Sequence, residues 1–527
     1  MTNRILVIRL GSMGDVILTS ATVLNLKRHY PKSHLVYLTK EQFVPLVESF
    51  DGVDEIVALP KGVGLTAYGR LLMGLDRQGF DIIVDLHGNP RSWLARKLIG
   101  ANQQVVYPKR RLDRYLLTKK HKQMPEAWPH TIDLYNQAAI DVGAKAICRR
   151  PLMKVVANAA EDLPFSDPRD KRPIVFIAPG ALHASKQWPM ASFTEVAREL
   201  AQKHEVRIIW AVVEADAGAS GLESELAADS FAELVQWPLE RLAPVMAASD
   251  LAITNDSGLA HMSSAVGTPV LAIFGPTHPV LGFAPRGLRD KVIETDEQCR
   301  PCSLHGSRPC FRERQYCFDR INPEDVVFAA TSLLPQVGRD RALFVDRDGT
   351  VIVEKNYASD PDQIELESGA VEALRLAQQY GLKIVLLSNQ SGVARGYFGL
   401  EDVGKMNNRL LQMLATKGVE VDGLYFCPHH PEGTVAGYGH ACQCRKPAVG
   451  MAEEAALQLG LDLRRSFVVG DKLDDYWLGR AMGAKSVLVR TGHGREHEKL
   501  LAQAGISPAE AVRDDLLGAV RMIVEAM

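Results

Sequence analysis

Four short runs in the last third of this 527-residue chain carry the side chains of a phosphoryl-transfer site. LFVDRDGT sets two carboxylates, Asp346 and Asp348, two residues apart, directly after an apolar run and before a glycine. A strand end can hold Asp346 rigidly as a nucleophile while Asp348 follows it as general acid and base. IVLLSNQSG ends in Ser388, placed to hydrogen-bond a phosphoryl oxygen, and CRKP supplies Lys446, whose charge can neutralise the phosphoryl group and orient the nucleophile. FVVGDKLDD then ends in Asp471, with Asp474 and Asp475 behind it. Asp346, Asp348 and Asp471, with a backbone carbonyl among the ligands, make a hard, oxygen-rich set suited to Mg2+. A lone Asp-x-Asp is a common acidic turn; its weight here comes from the three runs that follow it.

Between Ser388 and Lys446 lies FCPHHPEGTVAGYGHACQCRKP. Cys427, His429, Cys442 and Cys444 form a Cys-x-His and a Cys-x-Cys pair, a donor set for tetrahedral zinc, with His430 as the competing imidazole. Four protein ligands leave no position for water, so the expected role is structural. A second group, Cys299, Cys302, Cys310 and Cys317, sits in DEQCRPCSLHGSRPCFRERQYCFDR. Its single C-x2-C pair points to a second structural metal, zinc or one iron, and an unmetallated or redox-sensing cluster is the alternative. Cys148 is expected to be an ordinary buried thiol.

The first two thirds carry anion-binding signals. RLGSMGDVILTSA is a glycine-bearing loop entering an apolar helix near Asp15, which reads as a helix cap or as part of a phosphate-binding turn. It is not a GxGxxG pattern, which disfavours a dinucleotide. PIVFIAPGALHASKQWP ends a strand and brings Lys186 into a loop, and in AITNDSGLAHMSSAVG the residues Asp256, Ser257, Gly258 and Leu259 turn into a helix containing His261. Small residues there let phosphate oxygens approach helix N-H groups, and Lys186 supplies countercharge, which suits a diphosphate. His261 also reads as a packed helix histidine. YPKRRLDRYLLTKKHKQMP, residues 107–125, concentrates basic charge and reads either as a solvated face or as a contact for an anionic acceptor or membrane surface.

The elements that must position these groups are strands alternating with helices. RILVIRL, HLVYL, DIIVDLHG, PIVFIAPG, VRIIWAVV, DLAITNDSG, TPVLAIFG, RALFVDRDG, LKIVLLSNQ, RSFVVGD and AKSVLVRTG are short apolar runs, several of which enter glycine or aspartate loops directly. The pattern predicts an α/β fold of helix-covered parallel sheets with function at the carboxyl ends of the strands. Polar, proline-bearing stretches near 155–172 and 335–341 divide the chain into domains 1–160, 161–338 with the cysteine-rich segment 299–317, and 342–527. Hydrophobic residues at 46%, charged residues at 24% and a net charge of -2 describe an ordinary globular protein and give no reason to propose nucleic acid. The apolar run before Arg9 is too short for a signal peptide, and eight cysteines, seven of them in two groups, favour metal over disulfides. The expected location is cytoplasmic.

The four strand-end motifs resemble the haloacid dehalogenase (HAD) superfamily of phosphatases. SNQSGVARGYF, CPHHPEG, CQCRKP and VGDKLDD are similar to the D-glycero-D-manno-heptose 1,7-bisphosphate 7-phosphatases, over residues 342–495. That resemblance implies attack of Asp346 on the 7-phosphate and water activated through Asp348, with Ser388, Asn389, Arg395, Arg445 and Lys446 around the sugar phosphate. Histidinol phosphatases share the aspartates and the metal loop, and histidinol phosphate is the alternative substrate. RLGSMGDVILTSA, VDLHGNPRS, PGALHASKQWP and NDSGLAHMSSAVGTPVLAIFGPT resemble the family 9 glycosyltransferases, ADP-heptose:lipopolysaccharide heptosyltransferases. The implication is a GT-B pair of Rossmann-like domains, followed by a HAD-like Rossmannoid domain with a zinc loop. Asp15 would be the base that deprotonates the acceptor hydroxyl, Lys186 would face the donor phosphates, and Asp256 to His261 would form the donor turn. Implied partners are a sugar phosphate, a nucleotide sugar (ADP-heptose) and a lipid A-core type acceptor, with peripheral contact at the cytoplasmic face of the inner membrane. The alternatives are a non-catalytic GT-B module serving as scaffold, or another nucleotide sugar or a protein acceptor.

Overall fold

The computed structural model describes residues 4–120, 128–155, 172–211, 232–235, 237, 239–287, 289–334, 340–357, 360–503 and 511–527. The chain divides into two compact units, Met1–Pro335 and Gln336–Met527. The linker expected near 155–172 falls almost wholly outside the described residues, as does most of the one at 335–341.

Unit 1 holds two parallel sheets. The first has the order β3-β2-β1-β4-β5, built from β1 (Arg4–Ile8), β2 (His34–Lys40), β3 (Glu55–Leu59), β4 (Phe80–Asp85) and β5 (Ala101–Val106). The second has the order β11-β10-β9-β6-β7-β8, from β6 (Ile174–Ala178), β7 (Arg207–Ala211), β8 (Ala232–Val235), β9 (Leu251–Asn255), β10 (Val270–Ile273) and β11 (Lys291–Ile293). Unit 2 is one sheet, β14-β13-β12-β15-β16-β17, from β12 (Arg341–Asp346), β13 (Leu382–Asn389), β14 (Gly423–Cys427), β15 (Phe467–Gly470), β16 (Lys485–Val489) and β17 (Val512–Arg513).

Each strand order reverses at one place: β1/β4, β6/β9 and β12/β15. At such a switch point the chains leaving two adjacent strands diverge to opposite faces, and a crevice opens at their carboxyl ends. The motifs lie there. The Asp15 loop follows β1, Lys186 and Asp256 follow β6 and β9, and Asp346 and Asp471 end β12 and follow β15.

The central strands are rigid because both faces are buried. In β12, Leu343 and Val345 pack with Leu386, Leu410 and Leu414 on one side. Ala342 and Phe344 pack with Val385, Leu387 and Met451 on the other. That side-to-side alternation at period two clamps the strand that delivers Asp346. In unit 1, Trp188, Phe193, Trp210 and Phe318 fill one core beneath the second sheet.

Phe344→Ala should therefore cost about 3–5 kcal/mol of unit 2 stability through the cavity it leaves. Leu457→Ala, at a side chain 78% exposed, should cost under about 0.5 kcal/mol. Equilibrium urea unfolding followed at the unit 2 amides measures both.

Candidate active sites

In unit 2 the switch point gathers three buried carboxylates. Asp346, Asp471 and Asp475 each offer an oxygen within 4.8 Å of the others, a group that could hold a metal ion. Lys446 Nζ lies 2.5 Å from Asp346 and 2.6 Å from Asp475, and also donates to the Leu387 carbonyl at 2.6 Å. Asn389 fixes that lysine by its main chain: its Oδ1 accepts from Lys446 N at 2.9 Å and its Nδ2 donates to Lys446 O at 3.1 Å.

Lys446 and Lys472 face these three carboxylates, and Lys472 is shared with Glu354 at 3.3 Å, so the cations do not balance the anions. Burial and the neighbouring Asp346 push the Asp471 carboxyl up to about 8. The same two causes raise Asp475 to about 7, with Lys446 opposing them. Burial works against the charge on Lys446, but Asp346 and Asp475 outweigh it and keep the lysine protonated. Asp471 Oδ1 is buried with no hydrogen-bond partner among the described residues. An orphaned carboxyl oxygen beside two further carboxyl groups is the chemistry of a hard divalent cation site.

Two glycines make room for Asp471. Gly349 has φ +83°, and a β-carbon there would meet Asp471 Oδ2 at 2.4 Å; Gly492 has φ +49° and would meet the same oxygen at 2.3 Å. A side chain at either would be strained and would displace the carboxylate.

Asp348 sits differently from the place given it among the magnesium ligands. Its Oδ1 and Oδ2 each take a 3.0 Å bond from the Arg347 guanidinium, and Oδ2 also accepts from Ser388 Oγ at 3.0 Å and Gln390 Nε2 at 2.9 Å. Burial would raise this carboxyl, but Arg347 and the hydrogen bonds hold it below the usual range. The carboxylate that joins Asp346 and Asp471 is Asp475, delivered one turn into the helix Leu473–Met482. Ser388 is spent on Asp348 and Gln390. Arg395 Nη2 lies 3.2 Å from His430 Nε2 and 3.5 Å from Glu432, and Arg445 donates to the His429 carbonyl at 3.2 Å.

The four donors of the glycine-rich loop close into a cage. Cys444 Sγ is 3.2 Å from Cys427 Sγ, 3.3 Å from Cys442 Sγ and 3.4 Å from His429 Nδ1, while Cys427 Sγ is 3.4 Å from Cys442 Sγ and 3.6 Å from His429 Nδ1. Hydrogen bonding with Cys427, Cys442 and His429 draws the Cys444 thiol down to about 5 against the effect of burial. This group could hold a metal ion, and its edges are near the roughly 3.8 Å that ~2.3 Å metal–sulfur bonds impose on a tetrahedron. His429 is the imidazole in the cage; His430 faces Arg395. Cys299, Cys302, Cys310 and Cys317 all line one small cavity, but they are not among the groups whose donors all lie within 4.8 Å of one another. Cys148 is buried and free, and burial raises its thiol to about 11.

In unit 1 the Asp15 carboxylate is 2.5 Å from Arg9 Nη2 and accepts from Tyr135 Oη at 2.8 Å and Ser12 Oγ at 3.0 Å. Burial would raise its pKa, but Arg9, Tyr135 and Ser12 outweigh burial and keep it ionised. Neither Arg9 nor Tyr135 stood out in the sequence: Arg9 looks like the end of a strand, and Tyr135 is 120 residues from Asp15. The helices Met13–Leu18 and Gly258–Ala265 meet at their first turns. A β-carbon on Gly14 would touch His261 Cδ2 at 2.7 Å, and one on Gly258 would meet Met13 Cε at 2.0 Å. His261 is buried, which lowers its pKa, and its Nδ1 has no partner among the described residues. Leu259 is buried, and Ser257 Oγ is buried without a partner among the described residues. Lys186 Nζ pairs with Asp256 at 2.5 Å, and Thr277 Oγ1 donates to the same Asp256 oxygen at 2.7 Å. Lys186 thus has an internal carboxylate partner at the turn that opens the helix Gly258–Ala265.

Residues 68–309 match the family model described as glycosyltransferase family 9 (heptosyltransferase), and residues 443–519 match a HAD-hydrolase-like model. A D-glycero-beta-D-manno-heptose-1,7-bisphosphate 7-phosphatase of Yersinia pestis is 44% identical over 153 residues, which are 29% of this chain and 81% of that protein. The chain belongs to this phosphatase family. The Haemophilus influenzae phosphatase of the same name is 37% identical over 187 residues, 35% of this chain and 97% of its own length. Ahead of the phosphatase unit the chain carries a family 9 glycosyltransferase domain, so the two are fused. The crystal structure of a family 9 glycosyl transferase from Veillonella parvula is similar with a TM-score of 0.50 and 20% identity, covering 63% of this chain and 97% of that one, a likeness of fold. Among the described residues, no helix is long and apolar enough to cross a membrane.

Gly349→Ala should lower phosphatase turnover by about 100-fold or more, a barrier rise of about 2.7 kcal/mol, while leaving the far-ultraviolet circular dichroism unchanged. Steady-state phosphate release with magnesium checks the first part. The required concentration of magnesium should rise with it, because Asp471 is the group displaced.

Proposed function

We propose that the chain is a bifunctional enzyme of heptose and lipopolysaccharide-core biosynthesis. Unit 2 hydrolyses the 7-phosphate of D-glycero-D-manno-heptose 1,7-bisphosphate, and unit 1 transfers heptose from ADP-heptose to a lipopolysaccharide-type acceptor with inversion. The observation that carries the phosphatase reading is the Asp346–Lys446–Asp475–Asp471 cluster at the β12/β15 switch point, in a unit 44% identical to a phosphatase of that name.

In this reading Asp346 attacks phosphorus, and the sugar oxygen leaves with a proton from Asp348. The Asp348 carboxylate, the form that Arg347 favours here, then takes a proton from the water that hydrolyses the aspartyl phosphate. Asp346, Asp471 and Asp475 would hold Mg2+; when bound, the ion supplies charge neutralisation for the phosphoryl group. Ser388, Asn389, Arg395 and Arg445 serve substrate binding, Asn389 through its hold on Lys446. Cys427, His429, Cys442 and Cys444 would bind structural Zn2+, which fits three thiolates and one imidazole in a closed cage.

In unit 1, Asp15 deprotonates the acceptor hydroxyl, Arg9 and Tyr135 keep it ionised and oriented, and Lys186 with Asp256, Ser257, Gly258, Leu259 and His261 receives the nucleotide diphosphate. The proposed domain limits remain 1–160, 161–338 and 342–527, the proposed location is cytoplasmic with peripheral contact at the inner membrane, and Cys299, Cys302, Cys310 and Cys317 are proposed to take a second structural metal. The two reactions are not consecutive, since heptose 1-phosphate must be adenylylated between them.

Purified chain with magnesium should release phosphate from heptose 1,7-bisphosphate much faster than from histidinol phosphate. Asp346→Asn should remove that turnover by at least about 1,000-fold, or about 4 kcal/mol, and leave heptosyl transfer intact; Asp15→Asn should do the reverse. Preference for histidinol phosphate would overturn the pathway reading, and absence of transfer would leave unit 1 as a binding module. Cys444→Ser should lower the zinc bound per chain, read by elemental analysis, and reduce unit 2 thermal stability by several degrees, because metal held only by the folded state stabilises that state.

A further inference from the structure

The helix Leu400–Thr416 buries Val403, Met406, Asn407, Leu410 and Leu414 along one face. Leu410 and Leu414 join the core that also holds Leu343 and Val345 of β12. Asn407 is the polar member of this apolar face, and it is 6% exposed. A buried amide costs stability unless a partner meets it. The partner here is Arg347, whose Nη1 donates to Asn407 Oδ1 at 2.7 Å.

Arg347 is buried as well, and the rest of its guanidinium grips the residue beside it. Nε donates to Asp348 Oδ2 and Nη2 to Asp348 Oδ1, each at 3.0 Å. Side chains at adjacent positions of one loop can swing together, so this pair does not by itself fix Asp348. Other elements do. At the end of β13, Ser388 Oγ donates to Asp348 Oδ2 at 3.0 Å and Gln390 Nε2 donates to the same oxygen at 2.9 Å. Oδ2 therefore takes three bonds, from Arg347, Ser388 and Gln390. Among the described residues, Oδ1 takes one, from Arg347 Nη2. Oδ1 is thus the oxygen with capacity left for a further partner. Its direction is set by Arg347, which is tied to a second element at Asn407, 60 residues along the chain.

We propose that Asn407 is a positioning residue of the phosphatase, holding Arg347 so that Asp348 Oδ1 faces the leaving oxygen. The inference rests on the phosphatase reading and gives the two oxygens of its acid–base group different tasks: Oδ2 anchors, and Oδ1 carries the proton. In the first step a bond forms between Asp346 and phosphorus, the bond from phosphorus to the sugar oxygen breaks, and that oxygen takes the proton from Oδ1. In the second, water bonds to phosphorus, the bond to Asp346 breaks, and a water proton goes to Oδ1. A carboxyl group turned away slows both steps. The loss in the first step depends on how strongly the leaving group needs a proton.

The test compares the full-length chain with Asn407→Leu, Asn407→Ala and Asn407→Asp, in magnesium, on heptose 1,7-bisphosphate and on 4-nitrophenyl phosphate, whose leaving group departs without a proton. Loss of the accepting oxygen in Asn407→Leu or Asn407→Ala should lower kcat/KM for the bisphosphate about tenfold, because kcat/KM reports the step in which the sugar leaves. On the aryl ester kcat/KM should stay within about twofold, while kcat and KM fall together as the aspartyl phosphate waits for its base. Asn407→Asp keeps an accepting oxygen in the same place and should stay within about threefold of wild type on both esters. Leu410→Ala, on the same buried face, should lower thermal stability and leave the ratio of kcat/KM between the two esters unchanged. Should Asn407→Leu fail to fold, Asn407→Ala carries the same comparison. An equal fall in kcat/KM on both esters, or an Asn407→Asp chain no better than Asn407→Leu, would overturn the proposal. A wild-type chain that prefers histidinol phosphate would sink the pathway reading alone, and the contrast between leaving groups is then read on histidinol phosphate against the aryl ester.

Discussion

Charge balance in a buried place is the constraint on which unit 2 depends. Asp346, Asp471 and Asp475 are 5% exposed or less, and water cannot screen them. Lys446 and Lys472 offset part of that charge, and burial with the neighbouring Asp346 still pushes the Asp471 and Asp475 carboxyls toward protonation. Much of the surrounding structure serves this arrangement: Asn389 pins the lysine main chain, Gly349 and Gly492 leave space for Asp471, and two-sided packing of β12 holds Asp346. The cluster is one that could hold a metal ion.

The switch points of unit 1 follow the same rule with different partners. Asp15 is opposed by Arg9 and Asp256 by Lys186, each at 2.5 Å. In each pair one carboxylate faces one cation.

The strands read from the sequence are the interior strands of the three sheets, and those it did not reveal are the edges. β2, β1 and β4, β10, β9, β6 and β7, and β13, β12, β15 and β16 are buried on both faces and so are written as continuous apolar runs. β5, with the sequence ANQQVV, is largely exposed; β11 has three residues and β17 two. An edge strand has one neighbour and little need for apolar side chains, so its pairing is decided by the strand beside it.

The same division runs through the sites. Residue type and strand-end position single out Asp346, Asp348, Ser388, Lys446, Asp471, the Cys and His donors of the glycine-rich loop, Asp15, Lys186 and the Asp256 turn as candidates, because local chemistry sets those features. The structure decided which side chains face each other. It turned Asp348 toward Arg347, brought Asp475 to Asp346, chose His429 over His430, and set Arg9 and Tyr135 on Asp15. Those outcomes follow from the direction of a side chain on its helix or loop and from segments over a hundred residues apart meeting at a switch point. Sequence spacing carries no record of either.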